Sequence, residues 1–503
     1  MKEVLDIITN ETLTYNQQLL ELARLAENFD HTIELDDNLV QAKEDNIICD
    51  LGEGNAPYRP RYIVPDYSIL MKNGSEFLGL KAPKDLAEAL NSLLIMYRHV
   101  PSITSFPVYL GNFDELLEPF VLKEDREFAK KLIGLFLLNI DRTLNDSFVH
   151  ANIGPVDTLT GRIILELTEE MELAIPNLTL KYDPDLTSNE FAELAAKCML
   201  KTAKPSFANN KMFKSEWGDY AIASCYNGLR IKGGGFTLPR LRLYEASLKA
   251  KDIADFKNNI LPKYTDIMLK MMDDRIDFIV EESSFFKSNF LVTEGFVELD
   301  NFTGMFGVVG LAECVNNLLN ISDNKLGYGN NKEADDLGEE IIKELYDLVD
   351  SHDSKYAKNF NHKYRLHAQV GIDSDGREDS PGCRIPIGAE PIMPEQIIHS
   401  ERFHKYFPTG IGDIFKFEET WEKTPNALVD IIKGALTNGM RYFSAYLENT
   451  DVVRVTGYLV KKSELAKLDA GKQSLNNVSI FGKGARDFSD ALDRRINTND
   501  SSN

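Results

Sequence analysis

Short apolar segments alternate with longer amphipathic segments along most of this chain, and that alternation limits the folds open to it. Residues 86–94 and 333–349 carry apolar side chains at helical spacing, the second with an acidic outer face. Residues 162–167 and 292–299 are short apolar runs bounded by turn-forming residues, which is typical of strands. Strands alternating with helices predict an α/β architecture. No internal repeat or long flexible linker interrupts the pattern, so one large domain is expected.

The net charge of the chain limits the classes of partner that it is expected to bind. Lysine and arginine number 56 against 79 aspartates and glutamates, which gives a net charge of −23. A field of that sign repels phosphate backbones and anionic lipids, so neither nucleic acid nor a membrane surface is an expected partner. The first residues lack the apolar core of a signal peptide, and the longest apolar run, near residues 132–138, is too short to span a bilayer.

The cysteines and histidines indicate a reduced protein without a resident metal. Five scattered cysteines form no CxxC pair and no disulfide framework, so a cytoplasmic location is expected. The eight histidines show no HExxH motif and no paired ligand spacing. No glycine-rich phosphate-binding motif opens a helix either. Neither a metal site nor a phosphate cradle is predicted.

A glycine near the C-terminus needs an explanation. Residues 452–460 are mostly β-branched, aromatic or aliphatic, which predicts a short strand with Gly457 in its middle. Glycine weakens a strand, and its usual justification is a bulge or a close approach of the backbone. A further justification is chemical, because a Cα between an amide nitrogen and a carbonyl, without a side chain to prevent planarity, best accommodates an unpaired electron. Gly457 is therefore a candidate radical site, with backbone packing as the alternative.

A radical stored on glycine needs a side chain that can pass the hole to a substrate, and a thiol suits that role. Its S–H bond and a substrate C–H bond are close in strength, so hydrogen transfer between them is reversible. Cys225 lies between an apolar segment, 220–223, and the glycine-rich residues 228–235, which predicts a loop tip. Cys198 falls in a helical pattern and, with Cys314, is interpreted as core packing. Cys225 is the candidate thiyl residue.

The two segments together resemble a known family. Residues 224–229 (Ser-Cys-Tyr-Asn-Gly-Leu) resemble the cysteine loop of the YjjI-type glycyl radical enzymes, and residues 453–458 (Val-Arg-Val-Thr-Gly-Tyr) resemble their glycine loop. Residues 176–180 and 204–210 agree with the wider superfamily, and residues 306–313 resemble a segment shared with anaerobic ribonucleotide reductases. The order and spacing of these segments are more specific than either loop alone.

The resemblance implies a fold and its division. The fold would be a ten-stranded α/β barrel of two parallel five-stranded half-sheets with surrounding helices, and both loops would meet inside it. A mainly helical N-terminal part over residues 1–150 would pack on the barrel. The barrel with its cysteine loop would occupy residues 151–440, and the C-terminal radical segment with a polar tail residues 441–503.

The resemblance also implies the chemistry. A radical-SAM activase, using S-adenosylmethionine and an iron–sulfur cluster, would convert Gly457 into a glycine radical. Cys225 would become the thiyl radical of an oxygen-sensitive enzyme of anaerobic metabolism, and no cofactor would be bound permanently. Relatives also suggest a homodimer.

Departures from better-understood relatives exclude the simplest assignments. Pyruvate formate-lyase-like enzymes carry two adjacent cysteines, whereas Tyr226 follows Cys225 here. Dehydratases and C–N lyases of the superfamily place a glutamate two residues after the cysteine as a general base. This chain has Asn227 there, a hydrogen-bonding group without useful basicity. Anaerobic ribonucleotide reductases carry a C-terminal four-cysteine zinc site, and no cysteine follows Cys383 here.

The predicted activity is hydrogen abstraction from a small polar metabolite whose identity stays open. The side chains predicted to hold or protonate it are Asn227, Asn209, Glu313 and Glu390, with Arg384 for an anionic substrate. A surface carboxylate is an equally good interpretation of Glu313, and a structural ion pair is the simpler one for Arg384. Two alternatives remain: a nucleotide-reducing enzyme without the zinc site, and a non-radical α/β barrel protein that binds a metabolite.

Overall fold

Helices and short strands alternate along the chain in a computed structural model. The structure describes residues 2–50, 52–103, 106–144, 146–368, 379–454, 457 and 459–475. Val455, Thr456 and Tyr458 of the glycine motif, and the predicted polar tail, lie outside the described residues. Within these ranges, no helix is both long enough and apolar enough to cross a membrane.

Several helices begin where the sequence supplies a capping side chain. Asp36, Asp85, Asp125, Thr158 and Ser188 each precede a helix and accept a hydrogen bond from a backbone N–H of its first turn. The described α-helices are Lys2–Ile8 (α1), Tyr15–Glu27 (α2), Asp37–Glu44 (α3), Tyr67–Asn73 (α4), Leu86–Tyr97 (α5), Phe113–Val121 (α6), Arg126–Thr143 (α7), Leu159–Met171 (α8), Asn189–Thr202 (α9), Asn210–Trp217 (α10), Leu243–Ser247 (α11), Ile253–Asp255 (α12), Leu261–Asp277 (α13), Phe285–Ser288 (α14), Phe290–Thr293 (α15), Leu311–Leu318 (α16), Lys332–Ser351 (α17), Met393–His404 (α18), Pro425–Thr437 (α19) and Lys462–Asp469 (α20). The predicted helices over 86–94 and 333–349 are confirmed as α5 and α17.

The strands are short and mostly buried. They are Ile48–Cys49 (β1), Tyr62–Val64 (β2), His150–Ile153 (β3), Asn177–Tyr182 (β4), Ser206–Asn209 (β5), Tyr220–Ala223 (β6), Asn227–Arg230 (β7), Gly233–Gly235 (β8), Arg240–Arg242 (β9), Phe302–Thr303 (β10), Met305–Val309 (β11), Arg365–Ala368 (β12), Asp413–Phe417 (β13), Tyr442–Leu447 (β14), Val452–Arg454 (β15) and Leu459–Lys461 (β16). Every residue of β4 and β14 is buried, as expected of sheets covered by helices.

The described strands form three sheets and two separate hairpins. A five-stranded sheet has the order β13-β14-β5-β4-β3, a four-stranded sheet the order β1-β9-β11-β12, and a three-stranded sheet the order β10-β8-β2. β6 pairs with β7 and β15 with β16 in antiparallel hairpins. These sheets with their connecting helices confirm the predicted α/β class, while the ten-strand count stays a prediction.

Strand direction is parallel within groups of strands and antiparallel between groups, and the division into two parallel five-stranded half-sheets stays a prediction. Strands β3, β4 and β5, connected through α8 and α9, run parallel, and so do β13 and β14, connected through α19. The two units meet at β14 and β5, where Tyr442 lies antiparallel to Ala208. β1 is also antiparallel to β9. A connecting helix makes the strands on its two sides parallel. It does not determine the direction of the next group of strands.

Three local predictions are wrong. Residues 162–167 lie inside α8, and residues 292–299 begin in α15. A six-residue apolar run does not distinguish a buried helix from a strand. The predicted single strand over 452–460 is two antiparallel strands, β15 and β16, with Gly457 between them.

One face of the four-stranded sheet turns toward the β6–β7 hairpin. The register places Arg240, Gly307 and His367 side by side on β9, β11 and β12. Side chains at paired positions of neighbouring strands share a face. The His367 ring stacks on the Tyr226 ring of the hairpin with their centroids 5.6 Å apart.

Candidate active site

A tight hairpin carries Cys225 at its tip. β6 and β7 are antiparallel, and Ala223 opposite Asn227 is the last pair before the turn. The turn is therefore residues 224–226, and Ser224 has a φ of +57°, in the left-handed region that residues other than glycine rarely adopt. The apolar segment before Cys225, residues 220–223, forms β6, and Cys225 lies at the predicted loop tip. Cys225 itself is only 4% exposed.

A chain of buried hydrogen bonds fixes the turn. The Nδ1–H of His150 donates to the Ser224 carbonyl at 2.7 Å, and that acceptor sets the tautomer. The Nε2 atom accepts from the Thr179 hydroxyl at 2.8 Å, and the Tyr442 hydroxyl lies 3.2 Å from that same hydroxyl. Tyr442 also donates to the Cys225 carbonyl at 3.1 Å. Burial lowers the pKa of His150 to about 3, so its ring is neutral and can accept.

The hairpin is attached to both larger sheets. On one side, the Asn152 amide of β3 donates to the Ile222 carbonyl and accepts from the Ile222 N–H, each at 2.8 Å. On the other side, the Tyr226 hydroxyl donates to the Ala368 carbonyl of β12 at 2.5 Å. A methyl group on Gly410 would lie 2.5 Å from the Tyr226 carbonyl oxygen, so the backbone packs there at a distance that only glycine permits.

The Cys225 thiol is a hydrogen donor rather than a thiolate. Burial raises its pKa to about 11, against the opposing effects of the Ser224 hydroxyl and the Arg454, Arg384 and Arg61 guanidinium groups. At neutral pH the sulfur therefore carries its hydrogen. A low-pKa thiolate suits nucleophilic catalysis, whereas a buried S–H suits transfer of a hydrogen atom.

Gly457 lies directly against this thiol. A methyl group on Gly457 would be 2.5 Å from Cys225 Cβ, 2.6 Å from Cys225 Sγ and 3.5 Å from the Tyr226 ring. Since a carbon–carbon bond is ~1.5 Å, the Gly457 Cα lies within about 4.1 Å of the sulfur. Any side chain here would collide with the cysteine tip. The structure thus brings together the two residues that the sequence singled out, and their chemical roles stay a prediction.

Of the other predicted site residues, two lie near the cysteine tip and three lie elsewhere. Asn227 is buried in β7 beside the turn, opposite Ala223. Arg384 donates from Nε to the Gly412 carbonyl at 2.8 Å, and its guanidinium carbon lies 5.9 Å from the Tyr226 ring centroid. These two residues are near the cysteine tip.

The remaining candidates are engaged elsewhere in the described structure. Asn209 caps α10 and donates to the carbonyls of Leu436 and Met440, so its amide is used in packing α19. Glu313 accepts from the Ser380 N–H at 3.0 Å and the Ser380 hydroxyl at 2.5 Å, and burial raises its pKa to about 7. Glu390 accepts from the Gly388 N–H at 2.6 Å.

Sequence reasoning did not assign roles to three residues of the site. His150 and Tyr442 fix the Cys225 turn, and Arg454 donates to the Gly457 carbonyl at 3.1 Å. The signal for Arg454 was its place in the glycine motif, and that for His150 was a lone histidine on an apolar strand. Among the described residues, no cluster of three or more histidine, cysteine or acidic side chains could hold a metal ion.

Comparison with known sequences gives matches over nearly the whole chain. A family model described as "Glycyl radical enzyme YjjI-like" matches residues 13–497. A protein of Haemophilus influenzae is 45% identical over 502 residues, which cover 99% of this chain and 97% of that protein. The protein YjjI of Escherichia coli K12 is 40% identical over 484 residues, which cover 95% of this chain and 93% of that protein.

Solved structures share the fold. The anaerobic ribonucleotide reductase of Thermotoga maritima, solved with dATP and CTP, has a TM-score of 0.67 at 14% identity, with 90% of this chain and 86% of that chain covered. The hydroxyproline dehydratase HypD of Clostridioides difficile, solved with trans-4-hydroxy-L-proline, has a TM-score of 0.67 at 11% identity, with 99% and 88% covered. At such identities the likeness shows the fold alone.

The chain is a glycyl radical enzyme, and its structural neighbours share the α/β barrel fold of that class. Within the class it belongs to the YjjI-like family, as the match over residues 13–497 and the relatives at 45% and 40% identity show. Enzymes of this class carry a radical on a backbone glycine, which a separate activase generates. The family predicted from the two loops is confirmed.

Proposed function

We propose that this enzyme stores its radical on Gly457 and attacks a small polar metabolite through a thiyl radical on Cys225. The observation that carries the proposal is the contact between the two residues, with the Gly457 Cα within about 4.1 Å of the Cys225 sulfur. Hydrogen-atom transfer needs its two heavy atoms held at such close range. Among the described residues, Cys225 is the thiol on which Gly457 packs.

The radical is installed by a separate protein. A radical-SAM activase, which carries S-adenosylmethionine and an iron–sulfur cluster, removes one hydrogen atom from the Gly457 Cα. The activase would supply the acceptor of that hydrogen atom, so no cofactor is proposed to be bound permanently to this chain. We place this enzyme and its activase in the cytoplasm, where the five free cysteines of this chain stay reduced. Oxygen destroys a carbon radical, so the enzyme works under anaerobic conditions.

Catalysis then conserves the radical. The Gly457 Cα takes the hydrogen atom of the Cys225 S–H, which restores an ordinary glycine and leaves a thiyl radical. The thiyl radical takes a hydrogen atom from a substrate C–H bond, restoring S–H and leaving a substrate radical. After rearrangement, the product radical takes a hydrogen atom back from Cys225. Each step breaks one bond to hydrogen and forms another, so no external oxidant is consumed.

The fold supplies the enclosure that this chemistry needs. Cys225 is buried between the five-stranded and four-stranded sheets, since Asn152 of one and Ala368 of the other hold its hairpin. We infer that strands of both sheets belong to the ten-stranded barrel of this class. Excluding water and oxygen protects the radical intermediates from quenching.

The polar groups nearest the thiol suggest how substrate is held. Arg384 approaches the Tyr226 ring beside Cys225, and we assign it to an anionic group of the substrate. Asn227, next to the turn, is assigned to a hydrogen bond with substrate. Glu313 and Glu390, which accept hydrogen bonds from Ser380 and Gly388, stay candidates for proton transfer on sequence grounds.

Nucleotide reduction is the second candidate, because a ribonucleotide reductase solved with dATP and CTP shares the fold. The sequence weighs against it, since no cysteine follows Cys383 to build the zinc site of those enzymes. Binding assays with ribonucleotides distinguish the two. Micromolar binding would favour reduction, and its absence would favour a smaller metabolite.

Electron paramagnetic resonance tests the proposal. The wild-type protein and Gly457→Ala are incubated anaerobically with the activase, S-adenosylmethionine and a reductant. A carbon-centred doublet is expected in the wild type and no signal in Gly457→Ala. The same doublet in both proteins would place the radical elsewhere. No doublet in the wild type, with an activase shown to cleave S-adenosylmethionine, would favour the non-radical metabolite-binding alternative.

A further inference from the structure

Arg454 connects the carbonyl of the proposed radical glycine to the body of the protein. It is the last residue of β15 and is 1% exposed. Its Nη1–H donates to the Gly457 carbonyl at 3.1 Å. Its Nη2–H groups donate to the Ala203 carbonyl at 3.0 Å and to the Asn177 side-chain oxygen at 3.2 Å. One planar guanidinium thus joins Gly457 to two fixed points outside its own hairpin.

The two anchor points are suited to a cation. Ala203 is the C-cap residue of α9, where free carbonyl groups and the helix dipole give a partial negative charge. Asn177 is the first residue of β4, and its side-chain oxygen also accepts from the Leu178 N–H at 2.9 Å, which fixes the amide in place. A guanidinium is costly to bury unless oxygen atoms accept its hydrogens. These oxygen atoms therefore determine where Arg454 sits.

We propose that Arg454 is the positioning residue of the radical glycine, holding the Gly457 carbonyl so that its Cα faces the Cys225 thiol. This inference rests on the proposed function, which makes Gly457 the radical site. Position is critical, because a displacement of about 1 Å can cost roughly a hundredfold in rate. Backbone packing against Cys225 prevents Gly457 from moving closer, and Arg454 prevents it from moving away.

The same hydrogen bond acts on the radical electronically. An unpaired electron on Cα delocalises toward the carbonyl oxygen, and a cationic donor at that oxygen strengthens the delocalisation. Spin density on Cα then falls, and so does the splitting that the remaining Cα hydrogen produces. Arg454 therefore gives the radical a spectroscopic signature that a purely structural arginine would not give.

Alkylation of Cys225 tests the positioning without activase or substrate. Arg454→Met should release Gly457 from the thiol and raise the rate of Cys225 alkylation by iodoacetamide about tenfold or more, as measured by peptide mass spectrometry. The direction of the change in alkylation rate distinguishes release of Gly457 from loss of the arginine charge. The Arg454 charge helps to lower the pKa of Cys225, so loss of the charge alone would slow alkylation. Arg454→Gln is the second variant, with the same expectation, if the methionine variant folds poorly.

Two controls separate release of the loop from general loosening. Cys49 in β1 and Cys314 in α16 are buried thiols outside the site, and their alkylation reports global opening. Arg441→Met removes another fully buried arginine, one that pairs with Glu216. The proposal predicts faster alkylation at Cys225 alone and in the Arg454 variants alone. Unchanged rates in both Arg454 variants, or equal acceleration at all three thiols, would overturn it.

The activated enzyme supplies the second readout. The doublet of an Arg454 variant should show a wider splitting than the wild-type doublet, while Arg441→Met should match the wild type. An unchanged splitting in the Arg454 variants would overturn the electronic role and leave Gly457 as the radical site. A variant that accumulates no radical is judged by the alkylation result. A missing doublet in the wild type would instead contradict the proposed function itself.

Discussion

The two hairpins that meet at the site are held in different ways. The cysteine hairpin, residues 220–230, is fixed at its tip by His150 and Tyr442 and along its side by Asn152. The glycine hairpin, residues 452–461, has one described side chain, that of Arg454, whose hydrogen bonds reach the rest of the molecule. Polar side chains from several elements thus fix the cysteine hairpin, whereas the described part of the glycine hairpin is held by the hydrogen bonds of Arg454 and by the packing of its buried apolar side chains.

The difference fits the division of labour proposed for the two residues. A thiyl radical must meet substrate in a fixed geometry, so the residue that carries it belongs on the fixed hairpin. The glycine must be reached by an activase and then sit against the thiol, so a hairpin with fewer polar attachments suits it. Each prediction below concerns how one of the two hairpins reacts or is held.

Cys225→Ser should have the largest effect. The hydroxyl O–H bond is too strong for the glycyl radical to break, so turnover should be abolished while the Gly457 doublet still forms. The measurement pairs the radical signal with product formation from any substrate found by screening. Retained turnover in this variant would remove Cys225 from the mechanism.

Exposure of the activated enzyme to air should break the chain on the glycine hairpin. Oxygen adds to the Gly457 radical, and cleavage there releases a fragment of roughly 46 residues, since 457 is followed by 46 positions of the 503. Mass spectrometry before and after exposure measures the fragment. An intact chain after confirmed activation would count against Gly457, and protein without activase is the control.

Tyr442→Phe should weaken one attachment of the cysteine hairpin. Loss of the hydrogen bond to the Cys225 carbonyl should lower the free energy of unfolding by about 1 kcal/mol and raise the rate of Cys225 alkylation several-fold. Tyr97→Phe is the matched control, because it removes a buried tyrosine bond to the Leu110 carbonyl away from the site. Equal alkylation rates in the two variants would mean that Tyr442 does not hold the tip.

The smallest effect is expected from pH. The hydrogen donor is the protonated thiol, and burial raises its pKa to about 11, so raising the pH removes the donor only near that value. At pH 9 about 1% of the thiol is ionised, whereas an ordinary cysteine would be mostly ionised. Turnover should therefore vary less than about twofold between pH 7 and 9 through this group. A steep loss centred near pH 8.5 would contradict the buried, protonated thiol.

The two residues proposed to react could be singled out from the sequence, whereas the side chains that hold them in place could not. Gly457 and Cys225 were found because each departs from its local pattern, a glycine in an apolar strand and a cysteine before a glycine-rich segment. The attachments join residues far apart: 74 positions separate His150 from Ser224, and 277 separate Arg454 from Asn177. Local periodicity carries no information about pairs at such separation.

The fold shows the same limit. The α/β class followed from alternating segments, but α8 was mistaken for a strand over 162–167 because buried helices and strands share short apolar runs. The antiparallel pairing of Tyr442 with Ala208 could not be predicted, because strand direction depends on how two βαβ units meet. The fold class and the candidate reactive residues can be inferred from local sequence patterns. The direction in which strands pair and the hydrogen bonds that hold the site depend on residues far apart in the chain.

The most direct test of the central claim follows a hydrogen atom between Gly457 and Cys225. In heavy water the thiol becomes S–D, and reversible transfer should place deuterium on the radical carbon of the activated wild-type enzyme. The account predicts that the wild-type doublet collapses to a single unresolved line in heavy water, while Cys225→Ser keeps its doublet. A doublet that persists in wild-type enzyme, or that collapses equally in Cys225→Ser, would contradict transfer between these two residues.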